Sequence, residues 1–407
     1  MGSSEEHPAK TSRSFELIDL LIWGVGIFLA AVLRFSLFNF ETNDYTRFIS
    51  PWYDFIVSNG GFSALKYNFS DYTPPYLYLL TLATYLPLPK LYAIKLVSIL
   101  FDFLLAFFVL LIVKLKYESR VVGLFSFFAT LFAPTVFFNS ALWGQADAIY
   151  TSMLLGSIYF AIRRRAFFSL LSFSVALSFK LQAVFLSPLF VVLLLKRLIP
   201  IYSFLIIPAT YILLVLPAWL AGRPLVDLLM TYPAQAGLYS DYLTLGAPNL
   251  YQWLPENFGF FARPGILFAG SLVFLLSLIN YYSSARWTGD AIVRLSLVSV
   301  LLLPFTLPHM HERYFFAADV ISIIYAFYSP NRLFVPLIVG AASLFSYFPY
   351  LFGTMGALRP YLAILMGVAL IVATTDLIKS LYPDLVEQPR FRRSDQDKPE
   401  TSGEKAS

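Results

Sequence analysis

The chain has 407 residues, 58% of them hydrophobic, with 29 Lys and Arg against 24 Asp and Glu, and a mean hydropathy of +0.70. Between residues 17 and 383 only roughly one residue in ten is charged, against about a quarter in a soluble domain, which excludes a soluble enzyme, a disordered chain and a coiled coil. Zero Cys excludes disulfides, thiolate metal sites and a cysteine nucleophile. The net charge of +5 comes from basic residues scattered between apolar runs, a pattern of loops at a membrane surface and not of a nucleic-acid interface.

Repeated apolar runs predict an all-α polytopic membrane protein of about 12 transmembrane helices. The spans are read at 17–37, 91–113, 120–139, 147–162, 167–180, 182–195, 199–220, 264–281, 291–308, 314–328, 333–350 and 361–380. The first run is too long for a cleavable signal and lacks a small-residue cleavage site. The polar ends, 1–16 and 384–407, read as disordered cytoplasmic tails. Segment 74–88 is apolar but short, bounded by Pro74-Pro75 and by Pro87 and Pro89, and reads as an interfacial helix. With the N-terminus in the cytoplasm and 74–88 uncrossed, 19 of the 29 basic residues fall inside, among them Arg163-Arg164-Arg165. The positive-inside rule favours that topology. The long loops 39–89 and 221–263 then lie outside, as do the short loops near Trp143–Asp147 and Pro308–Arg313. Long loops carry function more often than short ones, so the working face is expected to be extracytoplasmic.

Five constellations on that face could carry chemistry. The first loop opens Asn39-Phe40-Glu41-Thr42-Asn43-Asp44-Tyr45, where Asp44 could take a proton from a sugar hydroxyl. A solvated loop acid is the plain alternative. The loop continues through Pro51-Trp52-Tyr53 and Tyr72-Thr73-Pro74-Pro75-Tyr76, aromatics that suit segments lying in the interface. Next comes Trp143-Gly144-Gln145-Ala146-Asp147, in which Asp147 is either a helix cap or a site acid. In Phe179-Lys180-Leu181-Gln182 the lysine is either paired in the apolar interior or snorkelling to its edge. Pro308-His309-Met310-His311-Glu312-Arg313 gathers two of the three histidines beside Arg313, whose planar fork suits phosphate oxygens. A zinc site from His309, His311 and Glu312 competes with that reading. Finally, in Ala247-Pro248-Asn249 and on to Trp253, Asn249 could bond a sugar and Trp253 could stack on one, or the aromatics could simply anchor the interface. Phosphate-cradling glycine loops, serine elbows and dinucleotide fingerprints are absent.

These motifs, in this order, resemble the GT-C superfamily of integral membrane glycosyltransferases. The likeness is to bacterial relatives of the GPI mannosyltransferase II and of the dolichyl-phosphate-glucose-dependent glucosyltransferases. The resemblance rests on Asn43-Asp44-Tyr45, Tyr72-Thr73-Pro74-Pro75-Tyr76, Trp143 to Asp147, Phe179 to Gln182, and His309 to Arg313. It implies a conserved module over 17–220 and a more variable one over 221–383. It also implies a polyprenyl-phosphate-sugar donor and inversion at the anomeric carbon. Asp44 would be the general base. His309, His311 and Arg313 would contact the donor phosphate. Asn43, Tyr45, Trp143, Gln145, Asp147, Lys180, Gln182, Asn249 and Glu312 would support them or bind substrate. Asp44 has no partner in an Asp-x-Asp motif, so no metal or other cofactor is expected.

The expected partners are that lipid-linked donor, a lipid or glycan acceptor and the membrane itself, with no nucleic acid. The expected setting is a prokaryotic plasma membrane. Two other classes stay open. A lipid or sugar transporter would line a path with intramembrane charges, for which Asp102, Asp319 and Asp376 are available. An O-antigen-ligase or polymerase type of transferase would carry arginine-rich outside loops, whereas 221–263 holds only Arg223 and Arg263.

Overall fold

Backbone polar groups in hydrocarbon find no water, so an apolar chain closes its hydrogen bonds within helices. The computed structural model of the protein describes residues 9–237 and 241–383, and they are overwhelmingly helical. Helix α1 (Ala9–Phe35) begins within the stretch expected to be tail. Residues 1–8 and the expected tail 384–407 lie outside the described residues. The first loop carries a widened π turn (Tyr45–Ile49), then α2 (Ser50–Ser58) and α3 (Pro74–Ala83). α4 (Lys90–Lys114) follows. α5 (Arg120–Leu131) then stops, and the chain resumes at an angle of 46° through α6 (Pro134–Phe137) and a second π turn (Phe138–Trp143). Pro134 causes the break, because its ring disfavours a helical Ala133, which is extended at φ −63°, ψ 124°.

α7 (Asp147–Ile162), α8 (Ala166–Phe179), α9 (Ser187–Leu195) and α10 (Ile206–Leu220) follow. The second long loop holds α11 (Leu225–Leu229), α12 (Thr231–Gly237) and a short strand β1 (Thr244–Leu245). The rest is α13 (Phe258–Tyr282), α14 (Gly289–Thr306), strand β2 (Met310–His311), α15 (Phe316–Tyr328), α16 (Phe334–Phe352) and α17 (Arg359–Leu381). β1 and β2 pair in parallel, Thr244 with Met310 and Leu245 with His311.

The protein is a multi-pass membrane protein. Among the described residues seven helices are long and apolar enough to cross a bilayer, eight if the bent pair counts as one. Helical structure stands at all twelve predicted span positions, but length supports a crossing at only these. α7, α8 and α15 have 16, 14 and 13 residues. At about 1.5 Å per residue they are roughly 20–24 Å long, short of the ~30 Å hydrocarbon layer. α3, with ten residues, is shorter still, as expected for a helix that does not cross. α14 is the hub, with 78% of its apolar window buried, whereas α1 lies at the rim with 11%.

The bundle has two chemically distinct ends. At one, Lys116 Nζ bonds Asp290 Oδ1 at 2.7 Å and the Tyr328 carbonyl at 2.6 Å. Arg164 donates to the Trp287 carbonyl, and Lys196 donates to the Ser283 carbonyl at 2.5 Å. These are loops assigned to the cytoplasm from sequence. At the other end the two long loops and the motif residues meet. The α7–α8 hairpin turns through Arg163-Arg164-Arg165 at the basic end. Its helices carry Asp147 and Lys180 at their other end, both buried.

α1 is fixed by a buried ion pair. Arg34 Nε donates to Asp102 Oδ2 at 2.9 Å, and Arg34 Nη2 donates to the Leu131 carbonyl at 3.0 Å. Ser140 donates to the same Asp102 oxygen at 2.5 Å. Arg34 and Asp102 are 1% and 0% exposed, so removing one partner strands a charge, at a cost of ~3–5 kcal/mol. Asp102→Ala should therefore lower the detergent-solubilised unfolding midpoint sharply. Arg34→Met combined with Asp102→Leu should recover most of that loss in the same thermal melt.

Candidate functional site

Two of the motif segments sit on π turns, a distortion often found at functional sites. Asp44 immediately precedes the first, and Trp143 ends the second. Gly144, at φ +77°, then reverses the chain in a conformation that a side chain would strain. Thr42 Oγ1 ties the two segments by donating to the Trp143 carbonyl at 3.3 Å. Lys95 anchors the loop from beneath, donating to the carbonyls of Leu37, Phe38 and Phe40 at 2.7–3.0 Å.

This frame aims three neutral donors at one carboxylate. Asp44 Oδ2 accepts from Trp143 Nε1 at 3.0 Å and from Gln145 Nε2 at 2.5 Å. Asp44 Oδ1 accepts from the Tyr350 hydroxyl of α16. Arg313 Nη1 lies 3.7 Å from Oδ2. A carboxylate has about four lone-pair positions, so these donors fix its orientation and leave room for one further hydroxyl. Trp143 is fully buried, stacked on Tyr350 at 5.2 Å, with the Arg313 guanidinium 5.5 Å from its ring centre.

Asp147 is not a helix cap. The cap position of α7 is Ala146, and no side chain caps that end. Asp147 Oδ1 instead accepts from Lys180 Nζ at 2.5 Å and Oδ2 accepts from Asn139 Nδ2 at 2.9 Å. Arg313 Nε is 3.9 Å from Oδ2. Lys180 is thus paired rather than snorkelling, and is 8% exposed. The rings of Tyr72 and Tyr150 flank its ammonium at 5.8 and 5.9 Å.

The second long loop holds the late motif in place. His309 N donates to the Leu243 carbonyl at 2.8 Å, and β1 and β2 continue the contact to His311. His309 itself adopts a left-handed φ of 64°. Gly246, at φ +89°, is packed so closely that a Cβ would meet Glu312 Oε2 and Arg359 Nη2 at 3.4 Å. Glu312 Oε1 accepts from Arg313 Nη1 at 3.1 Å, and Ser346 Oγ of α16 donates to the Glu312 carbonyl at 3.2 Å. Arg313 therefore sits among Asp44, Asp147 and Glu312.

The structure thus brings together Asp44, Trp143, Gln145, Asp147, Lys180, His311, Glu312 and Arg313. Other candidates lie apart or are engaged otherwise. The Asn43 side chain is exposed, and Tyr45 is buried in the packing of the first loop with Ile49 and Trp52. Gln182 lies against Tyr314. His309 packs on Phe258, ring centres 4.2 Å apart. Asn249 is fully buried, with Oδ1 accepting from Tyr251 N and Nδ2 reaching the Pro304 carbonyl at 3.3 Å, so its amide braces the loop. Trp253 is 45% exposed beside Phe305.

Among the described residues no group of three His, Asp or Glu side chains is placed to share a metal ion. The three acids weighed for a transport path stand in separate places. Asp102 pairs with Arg34, Asp319 accepts from Ser343 at 2.9 Å, and Asp376 accepts two bonds from Arg332 at 2.6 and 2.7 Å.

Sequence reading missed Tyr350 and Asn139. Asn139 carries a signal, a polar pair with Ser140 inside an apolar run. Tyr350 carries none, because its bond to Asp44 spans 306 residues.

Burial, then the charges of Arg313, Lys180 and His309, push His311 well below its ordinary pKa, so it is a neutral imidazole. Burial also raises Glu312, against the pull of Arg313. For Arg313, burial favours proton loss, but Asp44, Glu312 and Asp147 together hold it firmly cationic. Side-chain exposure is 14% for both Asp44 and Arg313 and zero for Asp147, so the first two can meet a ligand and Asp147 orients the cations.

Compared with known protein families and with curated proteins, the sequence matches no family model and no curated protein.

The His311 shift has a stability consequence. An unfolded histidine takes up a proton near pH 6.5, while the folded one resists it, so the unfolded state binds more protons below that pH. Stability should fall as pH drops from about 6.5 toward 5. His311→Asn should flatten that slope in melts recorded across the same window, whereas an unchanged slope would reject the assignment.

Proposed function

We propose that the protein is an inverting membrane glycosyltransferase of the GT-C type. It moves a hexose, mannose or glucose, from a polyprenyl-phosphate donor to a lipid or glycan acceptor. The observation that carries this reading is the pairing of an oriented, partly open carboxylate, Asp44, with an equally open guanidinium, Arg313, 3.7 Å away. A proton acceptor and a cation for a leaving phosphate are the two things this displacement requires.

In this reading Asp44 accepts the proton of the acceptor hydroxyl. The hydroxyl oxygen forms a bond to the anomeric carbon as the bond to the phosphate oxygen breaks. The electron pair leaves with the lipid phosphate, and the configuration inverts. Arg313 and Lys180 stabilise the phosphate charge, and neutral His311 offers one ring N–H. Without donor, Arg313 is neutralised by Asp44, Asp147 and Glu312. A donor phosphate would compete with Asp44 for the same fork, releasing the base as it binds. No metal is assigned a role. The charge asymmetry of the loops supports an extracytoplasmic site in a plasma membrane, with residues 17–220 and 221–383 as the two modules and twelve segments entering the bilayer.

The test is sugar transfer by the protein in nanodiscs, with polyprenyl-phosphate mannose and glucose as donors and native lipid as acceptor. Asp44→Asn should lower kcat by about 10²–10⁴-fold while donor binding persists or tightens, since the competing acid is gone. Arg313→Ala should weaken both donor binding and kcat. Wild-type transfer by Asp44→Asn would refute the base assignment. Absence of both transfer and donor binding in the wild type would refute the lipid-linked donor.

A further inference from the structure

A polar cavity of ≈ 190 Å³ lies between the two long loops. Arg223 is its notable wall. It is 2% exposed, and its Nη2 donates to Asn68 Oδ1 at 2.5 Å. Nε and Nη1 are buried with no hydrogen-bond partner among the described residues. A buried guanidinium with two idle donors is costly, which points to an occupant that completes it. The other lining side chains include Asp71, Asp227, Thr231 and Gln235.

The mixture of groups selects the chemistry. An anion would gain Arg223 but meet the carboxylates of Asp71 and Asp227. A sugar ring carries hydroxyls that accept from a guanidinium and donate to carboxylates in the same site, and the cavity has the room of a single ring. Its position selects the role. Asp71 immediately precedes Tyr72, whose ring stands 5.8 Å from Lys180 Nζ. Thr73 clamps this segment to the end of α8, donating to the Ser178 carbonyl at 2.7 Å, and Gln235 donates to the Asp71 carbonyl. The Asp71–Thr73 segment therefore joins the cavity, lined by Asp71, to the charged cluster, met by Tyr72.

We propose that this cavity is an acceptor subsite that binds an uncharged sugar ring of a glycan acceptor, with Arg223 and Asp227 as its specificity-determining residues. The sugar-binding part stands alone; the word acceptor rests on the transferase reading.

The test is saturation-transfer NMR on the full chain in nanodiscs. The probes are methyl α-mannopyranoside and methyl α-glucopyranoside, with inorganic phosphate as competitor. Wild type and Asp44→Asn should show the glycoside signal, undiminished by phosphate. Arg223→Gln should weaken binding on the order of tenfold or more, the worth of one charged hydrogen bond. Ala234→Leu, which fills the cavity without touching its charges, should do the same and covers the case in which Arg223→Gln fails to fold. In the transfer assay Ala234→Leu should raise the acceptor KM and leave the donor KM and kcat near wild type. No glycoside signal in the wild type, a signal indifferent to Ala234→Leu, or displacement by phosphate would overturn the proposal. Glycoside binding with the expected variant pattern but no transfer would retain the sugar site and remove the transferase.

Discussion

The site depends on a charge that cannot stand alone. A buried guanidinium without counter-ions carries a desolvation cost of several kcal/mol, so Arg313 requires acids at close range. It finds them on three separate parts of the chain: Asp44 from the first loop, Asp147 from the start of α7, and its own neighbour Glu312. The cation therefore acts as a keystone between modules that the sequence separates by more than 160 residues. Lys180 repeats the arrangement on a smaller scale with Asp147.

The backbone around this keystone departs from regular helix wherever a functional group must be aimed. π turns flank Asp44 and Trp143, a proline breaks the segment leading to Trp143, and His309 sits in a left-handed conformation. Irregular backbone at membrane depth is tolerated only where it is buried in protein or lines a cavity. Here Thr42 takes up the Trp143 carbonyl at the end of the second π turn, Lys95 the carbonyls of Leu37, Phe38 and Phe40 in the irregular stretch before Asp44, and β1 pairs with β2 at the late motif. The hairpin of α7 and α8 adds a second effect, because it buries Asp147 and Lys180 together at the end away from Arg163-Arg164-Arg165.

Electrostatics then divides the labour within the cluster. Asp147 has no exposure and orients Lys180, whereas Asp44 and Arg313 retain 14% each and face the opening. His311, held neutral by burial and by the cations beside it, can donate without adding to the local charge. Neighbouring Arg223 follows another logic. It leaves two donors, Nε and Nη1, without hydrogen-bond partners among the described residues, whereas Arg313 in the ion cluster leaves only Nε so and faces three carboxylates.

The sequence by itself determined the class of the protein, its helical segments and the motifs that matter. Low charge density and long apolar runs leave helices as the only way to satisfy the backbone in lipid, and residues such as Asp44, Lys180 and Arg313 stand out against that background. It could not decide between alternatives that differ only in who the partner is. Asp147 as cap or site acid and Lys180 as paired or snorkelling were open until both were seen on each other at 2.5 Å. Nor could it reveal Tyr350, whose contact with Asp44 depends on how α16 packs against the second π turn. Asn249 could bond a sugar by its sequence, and in the structure its amide bonds Tyr251 N and the Pro304 carbonyl, because a polar side chain announces its need for hydrogen bonds but not their address. Local pattern is written in the chain, whereas convergence across three hundred residues is settled only by packing.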